Sequence, residues 1–255
     1  GEDERRKMRD ESQAPRNSRE LAVRNQFFTP RYVVQFLTDN TLGRTWVEMK
    51  NRRTRLVERC EYLVEPAEPS RRQRPLKDPR ELRVLDPACG SGHFLLYAFD
   101  LLVATYEEAW GDGDTPASPG TGRTLRDDYE SMDDLRRALP GLILRHNLHG
   151  IDIDPRAAQI AALALWMRAQ RAYSEFEIPR DARPPITRTN VVVAEPMAAD
   201  DGLIRELAAE LSPPVVGELF RRMVAETRLA GEMGSLLRLD QSLAAAITEG
   251  RGQIA

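Results

Sequence analysis

Cysteine is nearly absent: Cys60 and Cys89 are the two in 255 residues, too few to staple a disulfide scaffold. Lysine is almost as scarce, with Lys7, Lys50 and Lys77 the whole set, so arginine carries the positive charge. Long apolar runs are missing. No stretch approaches about 18 consecutive apolar residues, which excludes a membrane-spanning helix on the sequence alone. The polar opening, residues 1–10, lacks the apolar core of a signal peptide. A strong charge of either sign is missing too: 37 basic against 40 acidic side chains leave −3 at pH 7, where a free-standing nucleic-acid binder is usually basic. Hydrophobic residues at 41% and charged residues at 30% exclude collagen-like and disordered chains. The expectation is a cytoplasmic protein of one large domain or two small ones.

Charge is uneven along the chain. Residues 41–83 hold twelve basic side chains, among them Arg44, Lys50, Arg52, Arg74, Arg80 and Arg83, against seven acidic ones. Such a stretch either meets phosphates or forms a solvated arginine-rich surface, and both readings stand at this level.

Residues 1–20 show no hydrophobic periodicity and read as a frayed terminus or an arm awaiting a partner. Thr29-Pro30 then predicts a helix start, with Thr29 as N-cap and proline first in the helix, and Val33, Val34, Phe36 and Leu37 as its apolar face. Residues 66–79 carry four prolines and read as an irregular connection. Arg83-Val84-Leu85 runs into Asp86-Pro87-Ala88-Cys89-Gly90-Ser91-Gly92, after which Phe94, Ala98, Leu101 and Leu102 recur at helical spacing as far as Trp110. This is strand, glycine-rich turn, helix. The stretch GDGDTPASPGTGRT, residues 111–124, has the composition of a mobile loop. A short helical stretch around Met132–Leu139 follows.

The second unit repeats the first. A strand is predicted over 147–153, with Asp154 as N-cap, Pro155 first in the helix, and Ile160, Leu163, Ala164 and Met167 as one apolar face. Trp110 and Trp166 read as core residues. A third strand is predicted at Val191–Val193. The alternation implies a parallel sheet with right-handed crossovers. From Leu203 to Ile247 the pattern is amphipathic helix, with no further strand. Domain boundaries follow: a helical N-terminal region over 1–80, an α/β core over 81–199 and a helical C-terminal insertion or linker over 200–255.

The string VLDPACGSGHF carries the chemistry. An acid ends a buried strand, and Gly90 and Gly92 have no side chain to keep a ligand from the backbone at the following helix N-terminus. Nucleotide-like ligands bind at such turns. A dinucleotide fingerprint needs a third glycine where Leu95 stands, and Asp86 sits poorly beside a pyrophosphate. The acid suits a ligand with a cationic amino group instead. S-adenosylmethionine has one, together with a ribose diol that calls for a second acid at the end of the next strand. Asp152, in GIDIDP, fits. His93, His146 and His149 lack the companions of a metal site, and Cys89 lacks a base, so neither metal nor nucleophile is expected.

DPACGSGHFL with GIDIDP, preceded by NQFFTPRYVV, resembles the DNA methyltransferases that act on adenine N6. In particular it is similar to the large phage-defence enzymes of the BREX PglX type and to the type I and type IIG restriction–modification methylases. The resemblance covers residues 25 to about 197. It implies a Rossmann-like S-adenosylmethionine-dependent methyltransferase core with double-stranded DNA as substrate and other defence-system proteins as partners. It further implies that Phe27, Phe28, Thr29 and Pro30 touch the methionine end of the cofactor. Asp86, Pro87, Ala88, Gly90, Ser91 and Gly92 then form the cofactor turn, Asp152 holds the ribose, and Ile153 and Glu195 lie by the adenine ring.

One family element is missing. The catalytic loop reads Asn or Asp, Pro, Pro, then Tyr or Phe, and it accepts the hydrogens of the target amine of a flipped base. The two Pro-Pro pairs here read Arg-Pro-Pro-Ile at 183–186 and Ser-Pro-Pro-Val at 212–215. No catalytic residue is therefore assigned, and the chain reads as an N-terminal portion of a longer enzyme, inactive alone. A cofactor-binding scaffold and a methylase of RNA or protein remain open as alternatives.

Overall fold

The computed structural model describes residues 29–65, 74–194 and 200–227. Phe27, Phe28 and Glu195 lie outside the described residues. The chain divides into two compact units, Gly1–Val193 and Ala194–Ala255.

In the first unit, α1 (Arg31–Thr38) passes through a wide helical turn, Asp39–Gly43, into α2 (Arg44–Met49), and α3 (Leu56–Arg59) follows. The helix start lies one residue later than expected. Pro30 has an extended ψ of 145°, so it occupies the N-cap itself, and its carbonyl accepts the amides of Val33 and Val34.

Three strands, β1 (Val84–Asp86), β2 (Leu148–Asp152) and β3 (Asn190–Val193), form a parallel sheet in the order β1-β2-β3. The connection from β1 to β2 carries α4 (His93–Asp112), α5 (Leu125–Asp128) and α6 (Met132–Leu142). The one from β2 to β3 carries α7 (Pro155–Glu175). Each crossover steps one strand in the same direction, so right-handed connections put α4 and α7 on the same face of the sheet. There they meet: Arg168 on α7 pairs with Asp100 on α4 at 2.7 Å, and its guanidinium lies over the Phe99 ring at 5.0 Å. On the other face Leu85 and Val192 are exposed.

The core forms around α4. Leu95, Phe99, Leu101, Leu102 and Tyr106 are fully buried, together with Trp46 of α2 and Leu56 of α3. Polar side chains fasten the N-terminal helices to α4. The buried Asp39 carboxylate accepts the Tyr97 hydroxyl at 2.8 Å and the Tyr62 amide at 3.0 Å. Glu108 accepts Thr54 Oγ1 at 2.6 Å and Trp46 Nε1 at 3.4 Å.

Two expectations reverse. The stripe read as the core face of α7 points outward: Ile160, Leu163 and Met167 are 55%, 57% and 58% exposed, and Trp166 is exposed beside them. The buried stripe is Ala158, Ala161, Leu165, Ala169 and Ala172. Small residues face inward because α7 must approach the glycine turn closely, as described below. The loop after α4, read as mobile, is tied down. Asp112 and Asp114 both accept from the buried Lys50 ammonium, at 2.7 and 2.6 Å, and Thr115 and Ser118 are buried.

Much of the arginine-rich stretch is likewise used inside the molecule. Arg80, almost fully buried, pairs with Asp78 at 2.8 Å and Asp128 at 2.5 Å and donates to the Arg123 carbonyl. Arg44 donates to Asn40 and to the Val64 carbonyl. Arg52 pairs with Glu65 and Arg74 with Glu48.

Asn147, fully buried, clamps the sheet at its start. Its Nδ2 donates to the carbonyls of Pro79 and Leu82, both at 2.7 Å, and its Oδ1 accepts the Tyr106 hydroxyl at 2.9 Å. Tyr106→Phe removes that donor and leaves a buried acceptor unpaired, which costs about 1–3 kcal/mol. Urea unfolding of the variant should show a lower midpoint with an unchanged slope, and an unchanged midpoint would mean that the clamp carries no stability.

The second unit contains α8 (Asp201–Glu210) and α9 (Pro214–Thr227). Asp200 caps α8 by accepting the amides of Gly202 and Leu203 at 2.7 and 2.9 Å. The helices pack closely because Gly217 has no side chain: a Cβ there would stand 2.1 Å from the Ala208 carbonyl oxygen. Among the described residues no helix is long and apolar enough to cross a membrane.

Candidate functional site

The site lies where β1 and β2 end. Asp86 closes β1 and Asp152 closes β2, and parallel pairing carries the two carboxylates to one edge of the sheet. Between β1 and α4 the chain must reverse within six residues, and positive φ angles at Gly90 (51°) and Gly92 (89°) make that possible. The Cys89 amide donates to the Ile151 carbonyl at 2.9 Å and the Gly92 amide to the Cys89 carbonyl at 2.8 Å. These bonds fix the turn against β2.

Asp152 completes the fixing. Its Oδ2 accepts the Gly90 amide at 2.7 Å and its Oδ1 the Asp154 amide at 2.8 Å. A carboxylate oxygen has two lone pairs, so each can take one donor more. Asp154 acts as the cap of α7, accepting from the Arg156 amide at 2.9 Å, as its position before Pro155 predicts.

Asp86 is bound differently. Its Oδ1 accepts the Ala88 amide at 3.2 Å, while its Oδ2 is buried and has no hydrogen-bond partner among the described residues. Burial pushes its pKa above the ordinary 3.8; the Ala88 amide opposes that and the nearby Asp152 charge adds to it. A buried acceptor without a donor is costly. The site therefore presents, among the described residues, a buried carboxyl oxygen without a partner beside a glycine turn.

The two glycines of the turn differ. A Cβ on Gly92 would come within 3.2 Å of the Ala161 Cβ and 3.3 Å of its Cα, whereas a Cβ on Gly90 would have nothing within 4 Å among the described residues. Gly92 is where α7 touches the turn; Gly90 borders open space. Sequence reasoning missed two participants here. Gly150 in β2 is needed because a Cβ would meet Leu95 at 2.9 Å and Cys89 at 3.1 Å, and its place in the GIDIDP string was the available signal. Ala161, opposite Gly92, had none.

Ser91 and Pro87 flank the turn, and Ser91 Oγ lies 3.2 Å from His93 Nδ1. Ile153 is 80% exposed beside Asp152. Thr29 and Pro30 lead into α1, which packs against α4. Burial, with Asp86 and Asp152 nearby, pushes the Cys89 thiol up to about 11, so it is protonated and inert at neutral pH. Burial and Asp39 push Cys60 to about 12. Among the described residues no three His, Cys, Asp or Glu side chains cluster as metal ligands.

Comparison with known proteins matches residues 69–199 to the MmeI DNA-methyltransferase domain. The chain is 36% identical over 162 residues to the adenine-specific methyltransferase BrxX of Escherichia coli, across 60% of this chain and 12% of that protein. It is 31% identical over 166 residues to the adenine-specific methyltransferase PglX of Lacticaseibacillus casei, with the same 60% and 12% coverage. A third relative, a putative type II restriction enzyme and methyltransferase of Methanocaldococcus jannaschii, is 39% identical over 87 residues, 34% of this chain and 6% of that protein. The matched region thus spans 12% of the length of the first two curated relatives.

Proposed function

The chain belongs to the family of the MmeI DNA-methyltransferase domain, and from that premise we propose that it is the S-adenosylmethionine-holding part of a DNA adenine-N6 methyltransferase in a cytoplasmic phage-defence or restriction–modification system. Its substrate is double-stranded DNA, and its partners are other proteins of that system. The relatives, two adenine-specific methyltransferases and a putative type II restriction enzyme and methyltransferase, support the reaction and the setting. One observation carries the cofactor: Asp86 Oδ2, buried and without a donor among the described residues, matches an ammonium group, and S-adenosylmethionine brings one.

The residues present fit that group. Asp86 receives the ammonium on its free oxygen, a charge-assisted bond. Asp152 keeps its amide bonds to Gly90 and Asp154 and accepts the ribose hydroxyls on its remaining lone pairs. Gly90 lets the ligand reach the backbone, because among the described residues nothing fills the space its side chain would take. Pro87, Ala88, Ser91 and Gly92 line the turn, Ile153 offers an apolar surface to the adenine, and Phe27, Phe28, Thr29, Pro30 and Glu195 complete the set by family position. When bound, the cofactor supplies an electrophilic sulfonium methyl group. The chain's own contribution is to hold and orient, which is most of what an in-line transfer requires. The Asn/Asp-Pro-Pro-aromatic string does not occur in these 255 residues, so acceptance of the amine hydrogens is not assigned to this chain.

Calorimetric titration of the chain with S-adenosylmethionine should give one saturable site. Asp152→Ala should abolish the heat, since it removes the ribose acceptor and releases the Gly90 amide together. A folded chain that takes up no cofactor would overturn the reading.

A further inference from the structure

A second site lies at the opposite edge of the sheet, where β1 and β2 begin. A cavity of about 790 Å³ opens there. Arg83, just before β1, and Arg145 and His146, in the wide turn Ile143–Asn147 before β2, line it together with Tyr129 and Leu142. The tied-down loop supplies another part of the wall through Ser118 and Thr121.

The charges in this cavity are not balanced. Arg80 is there too, but Asp78 and Asp128 already neutralise it, and Asp128 is shared with Arg123 at 2.8 Å. Arg83 and Arg145 are exposed, and among the described residues neither side chain makes an ion pair or a hydrogen bond. Glu81 is the one lining carboxylate left to offset them. His146 sits within this field. Burial first, then Arg145, Arg83 and Arg80, hold its pKa below the ordinary 6.5, with Asp78 pulling the other way.

We propose that this cavity binds a phosphate ester, received by the free guanidiniums of Arg83 and Arg145. The planar fork of an arginine matches phosphate oxygens two at a time. Two such forks lining one cavity, with no carboxylate bound to either among the described residues, are built for an anion. The volume falls in the range of small-molecule sites, and the Tyr129 ring and Leu142 offer apolar wall to whatever the phosphate is attached to. The phosphate comes from a free nucleotide or from a nucleic-acid backbone. This site is separate from the Asp86–Asp152 edge and does not depend on the cofactor reading.

The test uses the whole chain and two probes, ATP and a short DNA duplex, by calorimetry and by NMR of the His146 ring. Saturable binding is expected for at least one probe, weakened roughly tenfold or more in Arg83→Ala and in Arg145→Ala, the worth of a charge-assisted hydrogen bond. Arg145→Lys should fall between, because it keeps the charge and loses the fork. An anion in the cavity opposes the field of the arginines, so the His146 titration should move to higher pH when the probe binds. Binding of ATP identifies a nucleotide pocket, and binding of the duplex alone identifies the backbone as the source. The variants change exposed side chains, and circular dichroism together with an unchanged thermal unfolding midpoint shows that they remain folded. Equal affinity of wild type and both variants for every probe, or no binding at all, overturns the proposal.

Discussion

Asp86→Asn is expected to make the protein more stable and a worse binder at the same time. Among the described residues the buried Asp86 Oδ2 has no hydrogen-bond partner, and burial, aided by Asp152, raises the pKa of the carboxyl. The sign follows. A carboxyl whose folded pKa lies above its unfolded value binds its proton more tightly in the folded state, so its contribution to stability is lost as pH rises through the unfolded value of 3.8 and the folded value above it. At neutral pH the wild-type charge therefore opposes folding. Asparagine removes the charge, keeps Oδ1 for the Ala88 amide, and should raise the melting temperature. That advantage should close as pH falls towards 3.8, where the wild-type group is protonated. Affinity for S-adenosylmethionine should fall by roughly 10- to 150-fold, the value of one hydrogen bond to a charged group at about 1.5–3 kcal/mol. Such opposition of stability and binding is what a strained ligand site produces. Thermal unfolding at several pH values, paired with calorimetry, reads both effects. A variant that melts lower and binds as before would show that Asp86 is a structural residue.

The second large effect separates two glycines of one motif. Gly92→Ala places a methyl group 3.2 Å from the Ala161 Cβ, and the neighbour is helix backbone that cannot yield easily. It also forces a residue with a side chain to hold φ of 89°. Left-handed backbone costs roughly 1–2 kcal/mol and overpacking about 1–3 kcal/mol, so the loss should be on the order of 2–5 kcal/mol. Among the described residues Gly90→Ala meets nothing within 4 Å, and it bears only the cost of φ at 51°, roughly 1–2 kcal/mol. Its methyl group enters the open space assigned to the ligand, so cofactor affinity should drop far more than stability. Urea unfolding and cofactor titration of the pair should give opposite rankings. Equal stability losses would mean that contact with α7 contributes nothing. A Gly90→Ala variant that binds normally would place the ligand elsewhere.

The parts of the site legible in the sequence are those governed by neighbours along the chain. The run from Val84 through Gly92 into α4 could be read because a short apolar strand, positive-φ glycines and a helical repeat follow one another without a break. Asp154-Pro155 could be read as the start of α7 because capping is a matter of two or three residues. The start of α1 was misplaced by one residue, since both Thr29 and Pro30 are chemically able to precede a helix and only the ψ of Pro30 decides between them.

The inward face of α7 was not legible at all. Hydropathy states which side chains gain from burial, and by that measure Ile160, Leu163 and Met167 form the better stripe. The opposite stripe is buried because Gly92 must come close to Ala161, and that requirement joins residues far apart in the chain. The loop over 111–124 was misjudged for the same reason: its composition is that of a flexible segment, but Lys50, more than 60 residues earlier in the chain, holds Asp112 and Asp114.

By itself, then, the sequence determined the strand–turn–helix units, the parallel sheet and the acids that close β1 and β2, because backbone sterics and local capping act over a few residues. Only the tertiary structure decided which helix face is core and which arginines are internally paired. It alone left, among the described residues, Asp86 with a buried oxygen lacking a donor and Arg83 and Arg145 without counter-ions. Those outcomes depend on what stands opposite each side chain in space, and burial and Coulomb energies are set by that distance rather than by position along the chain.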